Sequence, residues 1–303
     1  MSSRPITQSE LLQWAVLNTA TQGEDTTTET RPELLQRGPI DPKWIEVILG
    51  KEDSARMKEC VETCADPNRT LDEKYVAMDE LEMLVESLDN ANDLRVLKLW
   101  KPIISILESD PNAELRAMAA WVLGTAVQNN SQAQNDMAAE GGLPVVVKVL
   151  QVDPSHQVRA KTMYCLSSLL KHNEAVLDAF IELHGFKAFF RLLDAANMED
   201  VNMYKRLVWC IHTLLMEAGQ EGHSAKTKAQ EEVQKTGIVE ATINLLGSKE
   251  CTEDLANNII CVVSTFIRND MVTQQQQGKL RQHLARWAQI DESKECADLL
   301  AVL

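Results

Sequence analysis

The apolar residues of this 303-residue chain recur mainly with the roughly 3.6-residue period of an amphipathic α-helix. After Pro111 they follow an i, i+3, i+4, i+7 order: Leu115, Met118, Ala119, Val122, Leu123 and Ala126. Such a stripe is stable only when neighbouring helices cover it. The chain has 12 Gly and 9 Pro, which is few for an all-β protein, and shows no strand pattern. The sequence therefore predicts an all-α protein.

From Trp100 onward the helical pattern repeats itself with a period of 43 residues, as Leu107, Leu150 and Leu193 show. Three helical stretches per unit at this period are typical of armadillo and HEAT solenoids. We therefore predict an α-solenoid, a right-handed armadillo-repeat superhelix with helical capping regions. The matched positions are Asp110 with Asp153, Arg116 with Arg159, Trp121 with Tyr164, Trp209 and Ile260, and Gly142 with Gly185 and Gly237.

Changes in composition divide the chain into five predicted segments. Residues 1–19 are a short mobile helical segment, and residues 20–38 are a flexible polar linker, because positions 21–30 contain no apolar residue. Residues 39–99 form an N-terminal helical cap, residues 100–268 four repeats, and residues 269–303 a C-terminal cap. Residues 221–228 read as a polar insertion within the repeats, and residues 274–277 are a Gln run.

The N-terminal cap carries clear helix signals. A helix is expected to begin at Asp41 and to end at Gly50. Thr70 and Glu73 form a capping box, which predicts a longer helix that continues to Leu88 and is broken by residues 89–92.

A second helical stripe carries one large residue per unit, followed four positions later by a hydroxyl residue. The pairs are Trp121 with Thr125, Tyr164 with Ser168, Trp209 with Thr213, and Ile260 with Ser264. A single aromatic residue could simply pack between repeats, but the recurrence favours the concave face, which the third helix of each unit lines and where partners bind. Lys161 and Arg206 occupy the register of the buried Met118. Either they reach the surface or the helix phase slips there.

The chain carries 45 acidic and 30 basic residues, a formal net charge of −15. This balance argues against a nucleic-acid partner and against an anionic membrane surface. The longest apolar stretches, residues 143–147 and 259–263, are too short to cross a bilayer. Seven cysteines without framework spacing fit a reducing, cytoplasmic location, and Cys60 and Cys64 are interpreted as small buried helix residues.

The sequence contains none of the motifs that carry catalysis. It has no phosphate-binding glycine loop, no paired His at metal spacing and no Gly-x-Ser-x-Gly elbow. The six His are scattered, and each is interpreted as a surface or core residue. We therefore expect no enzyme activity, no metal and no cofactor.

Three strings resemble the armadillo-type nucleotide-exchange factors of heat-shock 70 kDa chaperones, in their cytosolic fungal branch. They are residues 11–15 (Leu-Leu-Gln-Trp-Ala), residues 88–92 (Leu-Asp-Asn-Ala-Asn) and residues 115–130, which end in Gly-Thr-Ala-Val-Gln-Asn-Asn. The resemblance spans nearly the whole chain. The Thr-rich linker, the 221–228 insertion and the Gln run depart from the family pattern.

The resemblance implies a monomeric co-chaperone that grips one lobe of the chaperone's nucleotide-binding domain and promotes release of ADP and then of the client. It also implies roles in protein quality control and translation regulation. Leu11, Leu12 and Trp14 correspond to the family's client-release segment. The contacts expected on the chaperone are Asn90, Ala91 and Asn92 in a tight helix break, Trp121, Thr125, Asn129, Asn130, Tyr164, Arg206, Trp209 and Thr213.

Purely structural roles stay open for several of these contacts. Ala91 could be a mere turn residue, Arg206 could form a salt bridge to a neighbouring repeat, and Asn129 and Asn130 could simply cap a helix. A different kind of function also stays open, an armadillo adaptor that grips an extended peptide. Such adaptors place Asn four residues after each Trp, whereas this chain has Thr or Ser there. We therefore favour a folded domain as the partner.

Overall fold

The computed structural model describes residues 52–195, 200–216, 224–289 and 295–303. Within these ranges it contains 16 α-helices and no β-strand, which confirms the predicted all-α class. The chain divides into two units, residues 1–56 and residues 57–303. No helix in the described ranges is long and apolar enough to cross a membrane.

The helices of the second unit stack in three rows, one for each helix position of the repeat. The first-helix row consists of α3 (Leu88–Val96), α6 (Ser131–Ala139), α9 (Glu174–Glu182) and α12 (Ser224–Thr236). The second-helix row consists of α4 (Trp100–Ser109), α7 (Gly142–Val152), α10 (Gly185–Asp194), α13 (Ile238–Gly247) and α15 (Gln274–Trp287). The third-helix row consists of α2 (Leu71–Val85), α5 (Ala113–Ala126), α8 (His156–Leu170), α11 (Val201–Met216) and α14 (Glu253–Arg268). Helix α1 (Asp53–Ala65) precedes the rows, and α16 (Glu295–Val302) packs on α15 and α14.

Ion pairs with little solvent exposure join successive units of the third-helix row. The Arg116 guanidinium donates to both carboxylate oxygens of Asp153, at 2.7 and 3.0 Å, and to the carbonyl of Asp110 at 2.8 Å. Arg159, 43 residues later in the chain, bonds Asp200 at 2.9 Å and the carbonyl of Asp153 at 2.7 Å in the same way. The Asp and Arg positions that recur in the sequence are therefore the two halves of an inter-repeat clamp.

The turn between the first and second helix of each unit requires a left-handed residue. Lys98, Gly141, His184 and Gly237 occupy this position, with φ of 60°, 83°, 55° and 81°. The predicted match of Gly142 and Gly185 with Gly237 is therefore wrong by one residue. Gly142 and Gly185 lie inside helices, where a Cβ would lie 2.7 Å from Met137 and 2.1 Å from the Phe180 ring, so close packing is what requires glycine there.

The capping box of α2 is confirmed, since the Thr70 hydroxyl accepts from the Glu73 amide and the Glu73 carboxylate accepts from the Thr70 amide. The predicted break at residues 89–92 is wrong. Helix α2 ends at Val85, and residues 89–92 lie in the first turns of α3. The Asn90 side chain donates to the carbonyl of Leu84 at 2.9 Å, so from the first turn of α3 it caps the last turn of α2.

The polar stretch predicted as an insertion at residues 221–228 is largely helical. From Ser224 it belongs to α12, which packs beside α9 as the first helix of its unit. Lys228 Nζ lies 2.7 Å from Asp178 Oδ1 of α9, so the polar residues bind across the row. The Gln run opens α15, where Thr273 and Gln276 form a second capping box. The predicted helical segment at 1–19, the linker at 20–38 and the predicted helix at 41–50 lie outside the described residues.

Candidate partner-binding face

The third-helix row exposes the predicted aromatic stripe along one face, which we call the aromatic face and define by Trp121, Tyr164 and Trp209. Trp209 is 50% exposed, and the other two rings are half-buried. Each half-buried ring carries a cation from the next unit. Lys161 Nζ lies 3.6 Å from the Trp121 centroid, and Arg206 Cζ lies 5.1 Å from the Tyr164 centroid. The two basic residues therefore reach the surface, and the helix phase does not slip.

A glycine places one of these rings. A Cβ on Gly124 would lie 2.6 Å from Cε1 of Tyr164 and 3.0 Å from the backbone of Cys165. Only a residue without a side chain lets α8 lie this close to α5 with the Tyr164 ring between them. The ring is then held at its far end, where its hydroxyl lies 3.4 Å from Gln128 Oε1. The Gly124 of the sequence string is therefore part of the face.

The hydroxyl residues of the stripe are already engaged within the protein. The Thr125 hydroxyl donates to Oε1 of the buried Glu82 at 2.8 Å, and the Thr213 hydroxyl donates to the carbonyl of Trp209 at 2.8 Å. Ser168 is only 7% exposed, which makes it a packing residue. The stripe therefore offers its rings and cations to a partner, and its hydroxyl groups mainly hold the face together.

The expected fourth copy of the stripe is wrong. Ile260 is 2% exposed and belongs to the core, while the half-buried Cys261 takes the place on the surface. Residues 217–223, before α12, are not described, and the different length of this unit shifts the register by one residue relative to the sequence match.

Two other predicted contacts are buried. Ala91 is 1% exposed within α3, so its methyl group is part of the core, and an arginine there would disturb packing before it excluded any partner. Asn130 is 7% exposed and caps α6 by accepting from the Ala133 amide at 3.2 Å. Asn90 and Asn92 are half-buried, and Asn129 is exposed with φ of 53°. Of the two asparagines in the string, only Asn129 presents its side chain.

Clefts separate the helices of the aromatic face. One of about 760 Å³ lies among α8, α11 and α14, with Lys161, Lys205, Arg206 and Trp209 in its wall. Another of about 380 Å³ runs from Asn129 past Tyr164 to Thr213 and includes Lys171. The predicted residues Tyr164, Arg206, Trp209 and Thr213 therefore share one surface with Asn129, and Trp121 lies beside it, against Lys161.

The clefts are also lined by Lys205, which the sequence did not point to, and by Lys171, which follows Tyr164 and Ser168 in the predicted stripe but was not among the expected contacts. From the sequence, Lys161 stood out only as a residue that did not fit an apolar interior. Burial first, and then the positive charge of Arg206, lower the pKa of Lys161 below its usual value. A pattern search for basic residues one turn before each aromatic residue would have found Lys161 and Arg206 as a repeated pair.

No group of three or more His, Cys, Asp or Glu side chains in the described ranges could hold a metal ion. Cys60 and Cys64 are buried, as the sequence predicted. Burial raises the pKa of Cys64 to about 11, which keeps its thiol protonated at neutral pH.

Two family profiles together match residues 9–257 of the chain. The family described as nucleotide exchange factor Fes1 matches residues 9–94, and the SIL1/FES1/HPBP1 C-terminal domain matches residues 90–257. The Hsp70 nucleotide exchange factor FES1 of Kluyveromyces lactis is 34% identical over 262 residues, which cover 85% of each chain. The protein of the same name from Saccharomyces cerevisiae is 31% identical, with 85% of this chain and 84% of that protein covered.

Solved structures show the same fold at low sequence identity. A designed armadillo repeat protein in complex with the peptide (KR)4 matches with a TM-score of 0.60 at 17% identity, over 81% of this chain and 97% of that chain. A second designed armadillo repeat protein has a TM-score of 0.62 at 17% identity with the same coverage. These matches confirm the armadillo-type solenoid.

Proposed function

The chain belongs to the Fes1 family of Hsp70 nucleotide exchange factors, and we propose that it binds the nucleotide-binding domain of an Hsp70 chaperone through its aromatic face. Membership makes it an exchange factor and a co-chaperone rather than an enzyme. The two matched profiles together run from the first predicted helix into α14.

Exchange requires only that the bound protein prefers a conformation of the chaperone that holds ADP poorly. Linkage then makes the effect reciprocal, because nucleotide weakens the co-chaperone by the same factor that the co-chaperone weakens nucleotide. A hundredfold change in ADP affinity corresponds to about 2.7 kcal/mol of differential binding. A rigid surface that recognises one lobe can supply this amount without a reacting group. The stacked third-helix row, clamped at Arg116 and Arg159, is such a surface.

The observation that carries the proposal is the exposure of Trp209 between the two clefts. An indole that is 50% exposed on a face that also holds a half-buried Tyr164 and the cation of Arg206 has the composition of an interface hot spot. We propose that Trp121, Tyr164, Arg206 and Trp209 contact the chaperone. Thr125 and Thr213 support them from within, and Asn129 borders the contact.

The peptide-adaptor alternative is weaker on this face. A peptide adaptor needs a side chain at each rung that both donates to and accepts from an extended backbone, as Asn does. Thr125 and Thr213 already use their only donor hydrogen inside the protein. Ser168, the middle one of these three hydroxyl residues, is buried, so it cannot bind the backbone of a peptide on the face.

We propose that Leu11, Leu12 and Trp14 form the client-release segment. We also propose that the five segments predicted from the sequence are the functional divisions of the chain, and that the protein acts as a monomer in the cytoplasm. Seven cysteines without the spacing of a disulfide framework support a reducing compartment. A role in translation regulation is proposed from the family resemblance alone.

The decisive experiment is stopped-flow release of a fluorescent ADP analogue from a purified Hsp70 chaperone. Added protein should accelerate release, and Trp209→Ala should weaken binding to the isolated nucleotide-binding domain by 30-fold or more, about 2 kcal/mol, in calorimetry. Because Trp209 is half exposed, the melting temperature should change little. Val152→Ala, at a residue that is 67% exposed on the second-helix row, is the matched control and should bind normally. Normal affinity of Trp209→Ala would remove the aromatic face from the interface.

A further inference from the structure

Charge is distributed unevenly along the aromatic face. The two clefts around Arg206 contain four cations, Lys161, Lys171, Lys205 and Arg206. Their one acidic lining residue, Asp200, is 4% exposed and bonds Arg159 at 2.6 Å. This basic half lies in a chain whose formal net charge is −15, so it is not a consequence of overall composition.

Three of these cations form no ion pair with a described residue, although the carboxylates of Glu82 and Glu114 lie near enough to Lys161 to raise its pKa, against the larger lowering by burial and Arg206. Within the described ranges, Lys161, Lys171 and Arg206 form no ion pair, and only Lys205 does, with the highly exposed Asp254 at 3.1 Å. Lys161 and Arg206 lie on aromatic rings instead. A cation stacked on a ring keeps its charge uncompensated and its remaining N–H donors available. In a salt bridge, a carboxylate compensates the charge and occupies the donors.

The other end of the face has the opposite sign. The cleft between α2 and α5 is lined by Asp79 and Glu114 and, at its border with the basic half, by Lys161. The buried Glu82 accepts from Thr125 nearby. Glu114 accepts from Gln157 and Asp79 is exposed, and neither forms an ion pair with a described residue. The charge therefore changes sign across the face at Trp121, where Lys161 borders both clefts.

We propose that the basic half binds an acidic patch on the surface of the bound domain, and that the change of sign fixes which way round that domain is seated. This rests on the proposed function and adds the chemistry of the surface that is recognised. Complementary charge mainly raises association rates and rejects wrong orientations. The exposed ring of Trp209 then supplies contact area that charge alone does not.

The first experiment needs no chaperone. An octaglutamate peptide is titrated against the full chain by calorimetry at low ionic strength, with the double variant Lys171→Glu and Lys205→Glu beside it. The wild-type chain should bind the peptide weakly, and added salt and the double variant should each abolish binding. Lys187→Glu, an exposed lysine on the second-helix row, makes a charge change of the same kind and should bind as wild type. No binding by wild type, or binding that survives the double reversal, would overturn the proposal.

The second experiment measures association with the Hsp70 nucleotide-binding domain as a function of ionic strength. The double reversal should lower the association rate roughly tenfold at low salt and flatten its salt dependence, since steering effects span about 10 to 1,000-fold. Lys171→Gln with Lys205→Gln should give an intermediate rate, and circular dichroism confirms that each variant is folded. An unchanged rate in the double reversal would refute the charge assignment while leaving the exchange function intact. Octaglutamate binding without any binding of the domain would instead refute the proposed function.

Discussion

Two sets of cations cross from one unit to the next in the third-helix row, and they do different work. Arg116 and Arg159 reach forward to Asp153 and Asp200, and the side chains of the first pair are only 12% and 7% exposed. Lys161 and Arg206 reach back to the rings of Trp121 and Tyr164 on the open face. Both sets recur at the repeat spacing.

The difference lies in what surrounds the charge. A carboxylate that is almost sealed from water needs its guanidinium, because an unpaired charge in that place is strongly unfavourable. A ring on the surface gains little from its cation, and the cation remains free to bind something else. The clamps therefore hold the units together, while the cations on the aromatic rings present charge to a partner.

The largest effect should come from breaking a clamp. Arg116→Ala leaves Asp153 buried without its partner, so we expect the free energy of unfolding to fall by about 3 kcal/mol in urea denaturation. Arg69→Ala removes an exposed pair with Glu73, at 50% and 44% exposure, and should cost less than about 1 kcal/mol. Affinity of the folded Arg116→Ala protein for the Hsp70 domain should be unchanged. Equal losses in the two variants would contradict the distinction between clamps and surface pairs.

A medium effect on stability should come from displacing the Tyr164 ring. Gly124→Ala places a methyl group against the Tyr164 ring, and overpacking of this kind costs about 1–3 kcal/mol. Gly278→Ala, in helix α15 with nothing within 4 Å of the added Cβ, should instead stabilise by up to about 1 kcal/mol. Thermal melts of both variants test this, and tyrosine chemical shifts show whether the ring has moved. Stabilisation by Gly124→Ala would mean that the ring yields freely.

The smallest effect on stability should come from removing the cation that lies on the Trp121 ring. Lys161→Met loses a stacking contact worth about 0.5–1 kcal/mol but also relieves desolvation and repulsion from Arg206, so the unfolding free energy should change by less than about 1 kcal/mol. Its association with the Hsp70 domain should nevertheless slow. A variant that loses stability and binds normally would make Lys161 a structural residue like Arg116.

Local signals in the sequence predicted local structure well. The Thr70 capping box and the amphipathic stripe of α5 need only neighbours within a few residues, so both are as expected. The break expected at residues 89–92 failed because Asn and Asp favour a helix start as readily as a turn, and the end of α2 at Val85 decides which applies.

Long-range features were less accessible. The register of the last unit depends on the length of the connection before α12. The sequence match therefore paired Ile260 with Trp209, although Cys261 occupies the equivalent surface position. The clamp partners Arg116 and Asp153 each recur visibly, yet they belong to different copies, and spacing alone does not say that one reaches the other.

By itself, the sequence determined an all-α repeat fold, the start of α2, the acidic balance of the chain and the family to which its strings point. These follow from propensity, capping and periodicity, which act between residues close in the chain. Only the tertiary structure decided which side of each third helix stays uncovered, that Ala91 and Asn130 are buried while Trp209 is open, and that the cations of one unit lie on the rings of another. Exposure is a property of how units stack, and stacking joins residues about 43 positions apart.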